Sequence, residues 1–176
     1  MPRPLSDHDP DVVLEAERDI RARLGDRPLD FESLLAVSNI YRAANAVRHR
    51  MEREVLSTHG LSWGGFTILF VLWVWGDQET GELADACGLA KGTLSGMLRT
   101  LERSDLISRA PNEADRRRVV VRLSQPGIEL IESVFPEFNQ HEAMFVERLD
   151  SDERRELARL LRVVTATADE LPLFSD

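Results

Sequence analysis

An unusual density of arginines marks the segment NEADRRRVVVRLS, which spans residues 112–124. Arg116, Arg117, Arg118 and Arg122 fall within seven positions there. Each guanidinium offers a planar fork of N–H donors that fits carboxylate and phosphate oxygens. In a chain whose formal net charge is −9, such a cluster predicts a binding site for an anion.

Basic residues are segregated along the chain. Residues 87–124 hold eight Lys or Arg side chains against four Asp or Glu side chains, so the rest of the chain is strongly acidic. One basic segment on an acidic protein is typical of a face that binds a polyanion such as nucleic acid. On charge alone, chance clustering on a solvated surface explains the pattern equally well.

Length and composition narrow the class of protein. The chain has 176 residues, with 43% apolar and 30% charged, which favours one globular domain over a disordered chain. No apolar run approaches the roughly 18 to 20 residues of a membrane helix, and the N-terminus lacks the apolar core of a signal peptide. We therefore expect a cytoplasmic protein without a membrane partner.

Residue types for catalysis or metal binding are sparse. Cys87 is the single cysteine and the four histidines are scattered, so we expect neither a disulfide framework nor a metal site. Packing is the favoured role of Cys87, and redox sensing is the alternative. Because no Gly-rich phosphate loop, HExxH motif or nucleophile elbow occurs, we predict no enzymatic activity and no cofactor.

A helix-turn-helix is predicted over residues 79–107, immediately before the arginine cluster. Thr80 is expected to cap a first short helix, Gly88 to end it, and Lys91 to begin a second helix. Their inward positions are Leu83, Ala84 and Cys87, then Leu94, Met97, Leu98 and Leu101. In this motif the second helix enters the major groove of DNA.

The outward face of the second helix is small or cationic, with Gly92, Ser95, Gly96, Arg99 and Arg103. Gly96 costs about 1 kcal/mol relative to alanine in a helix. This cost predicts a close approach to the helix backbone, either by a phosphate or base edge or by a neighbouring helix. Arg99 could donate two hydrogen bonds to guanine O6 and N7, although a plain surface role is the alternative.

Residues 106–111 and 118–124 are predicted to form the two strands of a β-hairpin. Its tip carries Arg116 and Arg117, one of which could enter the adjoining minor groove, where narrow A·T-rich DNA concentrates negative potential. Asp115 could orient the Arg117 guanidinium through a charge-assisted hydrogen bond.

Amphipathic helices are predicted before this unit. A short helix over residues 10–24 precedes a long helix that runs from Asp30 to Gly60. Ser62 then caps the helix WGGFTILFVLWVW, which is apolar on nearly every side and is therefore expected to be buried. Its tryptophans favour a core, with the wall of a ligand pocket as the alternative.

The C-terminal third predicts a dimer. A helix that begins at Ser124 is expected to bend at Pro136, and a last helix begins at Asp150. The last helix carries a heptad-like stripe of Leu157, Leu160, Leu161, Val164, Ala168 and Leu171. A stripe this regular needs a partner surface, and a two-fold homodimer is the commonest way to supply one.

Three motifs, HGLSWGGFTIL, GELADACGLAKGTLSGMLRTLERSDLI and ADRRRVVVRLS, resemble the MarR family of winged helix-turn-helix transcriptional regulators. The resemblance implies a mainly α fold with a small β-hairpin wing and with N- and C-terminal dimerisation helices. It also implies a homodimer that binds double-stranded DNA at a pseudo-palindromic operator. Because a dimer on two half-sites one helical turn apart would block a promoter sterically, we expect a repressor rather than an activator. A winged helix used for protein association without DNA binding is the alternative.

The resemblance also implies roles for individual residues. Arg117 is similar to the family's minor-groove arginine, and Asp115 to its orienting partner. The other implied DNA contacts are Lys91 and Thr93 at phosphates, Ser95 and Arg99 at bases, and Gly96, Arg103 and Arg116 on the same surface. Ala90 and Asp105 depart from the family pattern because they replace a capping Ser and a helix-ending Gly.

Many family members release DNA when a small, often anionic aromatic compound binds near the junction of the dimerisation helices and the DNA-binding lobe. The candidate contacts for such an effector are Arg42, His49, Trp63 and His141. A surface or structural role is the alternative for each of them.

The predicted organisation has two parts. Residues 1–29 form an N-terminal extension with a short helix, and residues 30–176 form a single MarR-like domain. Within that domain, dimerisation helices at about 30–60 and 125–172 flank the winged helix-turn-helix at about 62–124.

Overall fold

The computed structural model describes residues 15–25 and 27–172. Its helices are α1 (Glu15–Leu24), α2 (Phe31–Glu54), α3 (Trp63–Trp75), α4 (Thr80–Ala86), α5 (Lys91–Arg103), α6 (Gln125–Phe145) and α7 (Ser151–Glu170). Its strands are β1 (Gln78–Glu79), β2 (Ile107–Pro111) and β3 (Val119–Leu123). The predicted fold class, mainly α with a small β wing, is confirmed.

The described residues separate into two compact units, one up to Arg48 and one from His49. The division falls inside α2, whereas the sequence placed the end of the N-terminal extension at residue 29. Of the helix predicted over residues 10–24, the structure shows the part from Glu15; residues 10–14 lie outside the described residues.

The first unit is held together by a buried carboxylate. Glu17 of α1 accepts a hydrogen bond from Asn39 Nδ2 at 2.7 Å, and its Oε1 lies 3.5 Å from Arg42 Nη1. At the start of α2, Asp30 accepts the Ser33 N–H at 3.0 Å, which confirms the predicted N-cap. Polar contacts therefore fix α1 to α2 and fix where α2 begins.

The second unit begins with the end of α2, which comes earlier than predicted. The helix stops at Glu54 instead of Gly60, and a 3-10 turn follows over Leu56–His59. The hydroxyls of Ser57 and Thr58 bind carbonyl oxygens of preceding residues at 2.8 Å and 2.6 Å. Such side-chain bonds offer the backbone an alternative to a regular helix, which explains the shorter element.

Helices α3 and α6 form the centre of the core in the second unit. The Phe66 and Phe138 rings stack with their centroids 4.1 Å apart, and the predicted cap Ser62 accepts the Gly65 N–H at 3.1 Å. Other side chains with almost no exposure are Met51, Leu56, Ile68, Leu69, Leu83, Leu94, Leu98, Val121, Ile131 and Val134. Helix α3 of this core contacts both helices of the helix-turn-helix and strand β3 of the sheet.

The prediction that α3 is buried throughout is wrong at its C-terminal end. Val74 is 47% exposed and Trp75 is 62% exposed. The other two tryptophans are half-buried, with Trp63 6.0 Å from the Phe138 ring and Trp73 packed on another aromatic ring of α6. The apolar sequence of α3 continues beyond the edge of the core, so the sequence alone does not show which of its residues are buried.

The wing is a three-stranded antiparallel sheet in the order β1-β3-β2. The predicted hairpin is present, with Ile107 opposite Leu123 and Pro111 opposite Val119. Strand β1 extends it and was not predicted, because two residues are too short to show a strand periodicity. This short strand connects the sheet directly to α4.

The C-terminal helices start at the predicted caps. The Ser124 hydroxyl accepts the Gly127 N–H at 3.1 Å, and α6 continues through Pro136. Asp150 forms a capping box at the start of α7, where every residue is exposed, including Leu157, Leu160, Leu161, Val163 and Val164. Among the described helices, none combines the length and apolar character that a bilayer crossing requires.

Candidate nucleic-acid interface

Helices α4 and α5 form the predicted helix-turn-helix. Leu83 and Ala84 of α4 are buried, and Gly88 at φ +61° makes the turn that ends the first helix. The predicted cap was one residue off: Glu79, not Thr80, is the N-cap of α4, and it forms a reciprocal capping box with Glu82. Leu94, Leu98 and Leu101 then anchor α5 to the core.

The outer face of α5 is open. Lys91, Thr93, Ser95, Arg99 and Arg103 are exposed, and Gly96 is partly exposed. A Cβ built on Gly92 or Gly96 would meet nothing within 4 Å. Among the described residues of this chain, no neighbouring helix packs on Gly96, which favours the approach of an external group. The backbone of α5 is accessible to an external group at two positions one turn apart.

Both ends of α5 show the departures noted in the sequence. Ala90 makes no side-chain cap, and Asp105 adopts the left-handed conformation at φ +56°, which glycine would adopt more easily. The carbonyl of Asp105 is held by the Ser124 hydroxyl. A Cβ on Gly127 would lie 2.0 Å from the Leu106 carbonyl oxygen, so the segment between α5 and β2 is packed tightly on the start of α6.

At the wing tip, Asp115 and Arg117 form the predicted contact. The carboxylate accepts the Arg117 backbone N–H and Nε at 3.1 Å each, and Nη2 at 3.2 Å. The Arg117 side chain remains 91% exposed. Hydrogen bonds from Arg117 lower the pKa of Asp115 below its ordinary value, so the carboxylate is charged at neutral pH. The arginine is oriented and still available to a partner.

The other arginines of the cluster differ from this one. Arg118 binds Glu79 at 2.8 Å, and Arg122 pairs with Asp77 at 2.7 Å. In the part of the chain that the structure describes, Arg116 is exposed and has no carboxylate partner. The density of the cluster thus overstates its free positive charge, because intramolecular carboxylates already satisfy several guanidinium groups.

Sequence reasoning missed the carboxylates that hold the wing. Glu79 also accepts a hydrogen bond from Asn112 Nδ2 at 2.8 Å, so this side chain joins the first helix of the motif to the hairpin. One signal was available: Glu79 and Glu82 have the three-residue spacing of a capping box. Their sequence distance from the wing hid the second role.

No described contact joins the four residues predicted to bind an effector. Arg42 belongs to the first unit, where it faces Glu17. In the second unit, His49 is exposed, Trp63 packs on α6, and His141 Nδ1 lies 3.0 Å from the carbonyl oxygen of Glu137 in its own helix. An effector role for the four residues stays a prediction.

Two other features bear on the chemistry of the second unit. Burial raises the pKa of the Cys87 thiol, which disfavours the reactive thiolate and agrees with a packing role. A cleft of about 340 Å³ between α4, α5 and the sheet is lined by Lys91, Ser95 and Arg109, among others. No group of three or more His, Cys, Asp or Glu side chains suited to a metal ion occurs within residues 15–25 and 27–172.

The family follows from two sequence similarities. The MarR family model matches residues 61–119, which include the helix-turn-helix and most of the hairpin. YwaE of Bacillus subtilis (strain 168), an uncharacterized HTH-type transcriptional regulator, is 37% identical over 160 residues, covering 89% of this chain and 94% of YwaE. The chain belongs to the MarR family. It is therefore a winged helix-turn-helix transcriptional regulator.

Solved structures of MarR-like regulators share this fold. BpsR of Bordetella bronchiseptica, whose DNA binding is regulated by 6-hydroxynicotinic acid, matches with a TM-score of 0.69 at 23% identity, over 74% of this chain and 98% of BpsR. A variant of MarR from E. coli in complex with operator DNA matches with a TM-score of 0.68 at 24% identity, over 76% and 96% of the two chains.

Proposed function

We propose that this MarR-family regulator is a homodimer that reads a pseudo-palindromic operator through α5 and the wing, and that it represses the adjoining promoter. Helix α5 would lie in the major groove, with Ser95 and Arg99 at base edges and with Lys91 and Thr93 at phosphates. Arg117 would enter the adjoining minor groove. Gly96, Arg103 and Arg116 complete the proposed contact surface.

One observation carries this proposal: an exposed arginine is held in a fixed direction on a wing whose strand β2 contacts the exposed, backbone-accessible helix α5. A surface arginine normally loses side-chain entropy when it is fixed on a partner. In the wing, Asp115 has already restricted Arg117 through contacts from the backbone N–H, Nε and Nη2. Such preorganisation favours recognition of a defined anionic groove over diffuse attraction to any polyanion.

The dimer is supported by the exposure of α7. Leu157, Leu160, Leu161 and Val164 are between 39% and 47% exposed on one helix that buries none of its own residues. A 20-residue helix of this kind gains most of its stability from packing of its apolar face. A second copy would supply that packing and would place two α5 helices about one turn of DNA apart. Such a dimer would exclude polymerase from the promoter sterically.

Release by a small aromatic or anionic effector is the remaining part of the proposal. BpsR, which shares the fold, has its DNA binding regulated by 6-hydroxynicotinic acid. In the second unit, ring N–H groups of His49 and His141 could donate to an anion, and Trp63 offers an aromatic face; Arg42 is a separate candidate in the first unit. Screening starts from the assembled protein–operator complex, with loss of fluorescence anisotropy as the signal for release.

Selection from a random duplex pool tests the DNA-binding part. Purified protein is expected to enrich a two-fold symmetric site at low salt, and anisotropy titration of that site should show weaker binding by Arg117→Ala. Log affinity should fall linearly with log salt concentration, with a shallower slope for the variant, because fewer counterions are released. If no sequence is enriched, the proposal is wrong and a protein-association role for the winged helix is favoured.

Sedimentation analysis tests the dimer separately. The wild type is expected to sediment as a dimer, and Leu160→Glu as a monomer, because a charge would be buried in the apolar contact between the α7 helices. Ala158→Glu, which adds the same single charge on the exposed side of α7 that carries Arg155 and Arg162, is the control. A monomeric wild type would contradict the two-lobed operator complex.

A further inference from the structure

The carboxylate of Glu79 lies where the helix-turn-helix meets the wing. Its backbone belongs to β1 and pairs with Val120 of β3. The same residue is the N-cap of α4, and its N–H donates to Glu82 Oε2 at 3.2 Å. One residue is therefore part of the sheet and of the first helix of the motif at the same time.

The Glu79 side chain also binds both arms of the hairpin near its tip. Oε1 accepts Asn112 Nδ2 at 2.8 Å, and Oε2 accepts Arg118 Nη1 at 2.8 Å. The two wing residues are themselves joined, because the Asn112 N–H donates to the Arg118 carbonyl at 2.9 Å. The side chain of Glu79 is 21% exposed, so these charge-assisted bonds are partly shielded from water.

A continuous path of polar contacts leads from Glu79 to the arginine at the wing tip. Asn112 Oδ1 accepts the Ala114 N–H at 2.8 Å, and the Arg118 N–H donates to the Asp115 carbonyl at 2.9 Å. Asp115 in turn holds the Arg117 guanidinium. Hydrogen bonds thus link the residues that hold Arg117 to a side chain outside the hairpin, on β1 at the start of α4.

We propose that Glu79 is a positioning residue that sets the wing against the helix-turn-helix, so that Arg117 and α5 reach the DNA in register. This inference rests on the proposed function. Glu79 is not a DNA contact, and its negative charge alone would repel phosphates. Its positioning effect on affinity is therefore opposite in sign to its electrostatic effect, which makes the two separable by experiment.

Two charge-matched variants separate these effects on the selected operator. Glu79→Gln keeps the size of the side chain but removes its charge and offers one acceptor oxygen, whereas Asn112 and Arg118 each donate to a separate oxygen of Glu79. Glu82→Gln removes the same charge from the same capping box and leaves the wing contacts in place. We expect Glu79→Gln to bind about threefold to tenfold more weakly than wild type, whereas Glu82→Gln binds equally well or slightly more tightly.

A double-mutant cycle with Arg117→Ala tests whether Glu79 acts through Arg117. In the Arg117→Ala background, Glu79→Gln should change affinity by less than about twofold, because the side chain that it positions is gone. An equal loss in both backgrounds would overturn the inference and assign Glu79 a general structural role. Wild-type protein that binds no selected DNA would instead overturn the proposed function, and the inference with it.

Asn112→Ser provides a second route if Glu79→Gln is poorly folded by circular dichroism. Serine can still accept hydrogen bonds from the backbone of the turn, but it is too short to donate to Glu79. The same dependence on Arg117 is expected for this variant. A loss of affinity that persists without Arg117 would contradict the proposed path from Glu79 to the wing tip.

Discussion

The wing and helix α5 present arginines in two different ways. In the wing, Asp115 and Glu79 hold Arg117 and Arg118 by hydrogen bonds between 2.8 Å and 3.2 Å. On α5, Arg99 is exposed and has no carboxylate partner among the described residues. The wing has lost side-chain entropy before any partner arrives, whereas α5 keeps rotamer freedom that a base pair would have to restrict. The difference favours a fixed wing and an adaptable recognition helix.

Arg99→Ala should produce the largest change in operator affinity. If Arg99 donates two hydrogen bonds to a guanine, its removal costs about 1 to 3 kcal/mol and relaxes specificity at that base pair. Competition titrations against operators changed at one position measure both effects. A uniform loss of affinity across all operator sequences would mean that Arg99 contacts a DNA phosphate, as proposed for Lys91, and does not read a base.

Gly96→Ala should separate stability from binding on α5. Because a Cβ at this position meets nothing within 4 Å, alanine is expected to stabilise the helix by roughly 0.5 to 1 kcal/mol. The added methyl should nevertheless weaken operator binding about tenfold, by preventing close approach of the backbone. Thermal unfolding measures the expected gain in stability, and fluorescence anisotropy on the same sample measures the expected loss of operator affinity. Unchanged affinity in a stabilised variant would show that DNA does not approach Gly96.

Asp115→Asn should have a smaller effect, since Arg117 remains and only its orientation is lost. We expect about threefold weaker binding, despite the removal of a negative charge that would otherwise favour DNA. Asp77→Asn is the matched control, because it frees Arg122 on β3 and removes the same charge away from the wing tip. If both variants changed operator affinity equally, the orientation of Arg117 by Asp115 would not contribute to binding.

The dependence of the wing on pH should be the smallest effect. Arg117 lowers the folded-state pKa of Asp115, so the stabilisation from this pair is complete above the ordinary aspartate pKa and is lost as pH falls through the lowered value. Between about pH 6 and pH 8 the wing should therefore keep its orientation. Exchange of the Arg117 amide hydrogen, corrected for intrinsic rate, should show constant protection there and reduced protection only in strong acid.

The sequence predicted the elements that periodicity and local motifs encode. The start of α5, the hairpin strands, the caps Ser62, Ser124 and Asp150, and the contact between Asp115 and Arg117 all depend on residues close together in the chain. Each of these features depends on residues a few positions apart, so it can be predicted from the sequence alone.

The features that were missed depend on residues far apart. Arg118 meets Glu79 across 39 positions, and β1 exists only because β3 pairs with it. The exposure of Trp75 and the early end of α2 likewise follow from where the core stops and from which carbonyls the hydroxyls bind. The periodicity within a helix does not show where tertiary contacts end. In the same way, the spacing of arginines in the wing does not show which of them pair with distant carboxylates, so the sequence overestimated the free positive charge of the wing.

Base-pair analogues test most directly whether the wing reads the minor groove and α5 reads the major groove. An inosine–cytosine pair presents the major-groove pattern of G·C but lacks the minor-groove amino group, and so resembles A·T there. At the A·T pairs facing the wing, we expect replacement by inosine–cytosine to leave the affinity of the wild type unchanged and replacement by G·C to weaken it. In Arg117→Ala, neither replacement should change affinity. At A·T pairs facing α5, replacement by inosine–cytosine should weaken binding as much as replacement by G·C, because both present the same altered pattern in the major groove. Loss of affinity with inosine–cytosine at the wing positions would contradict minor-groove reading by Arg117.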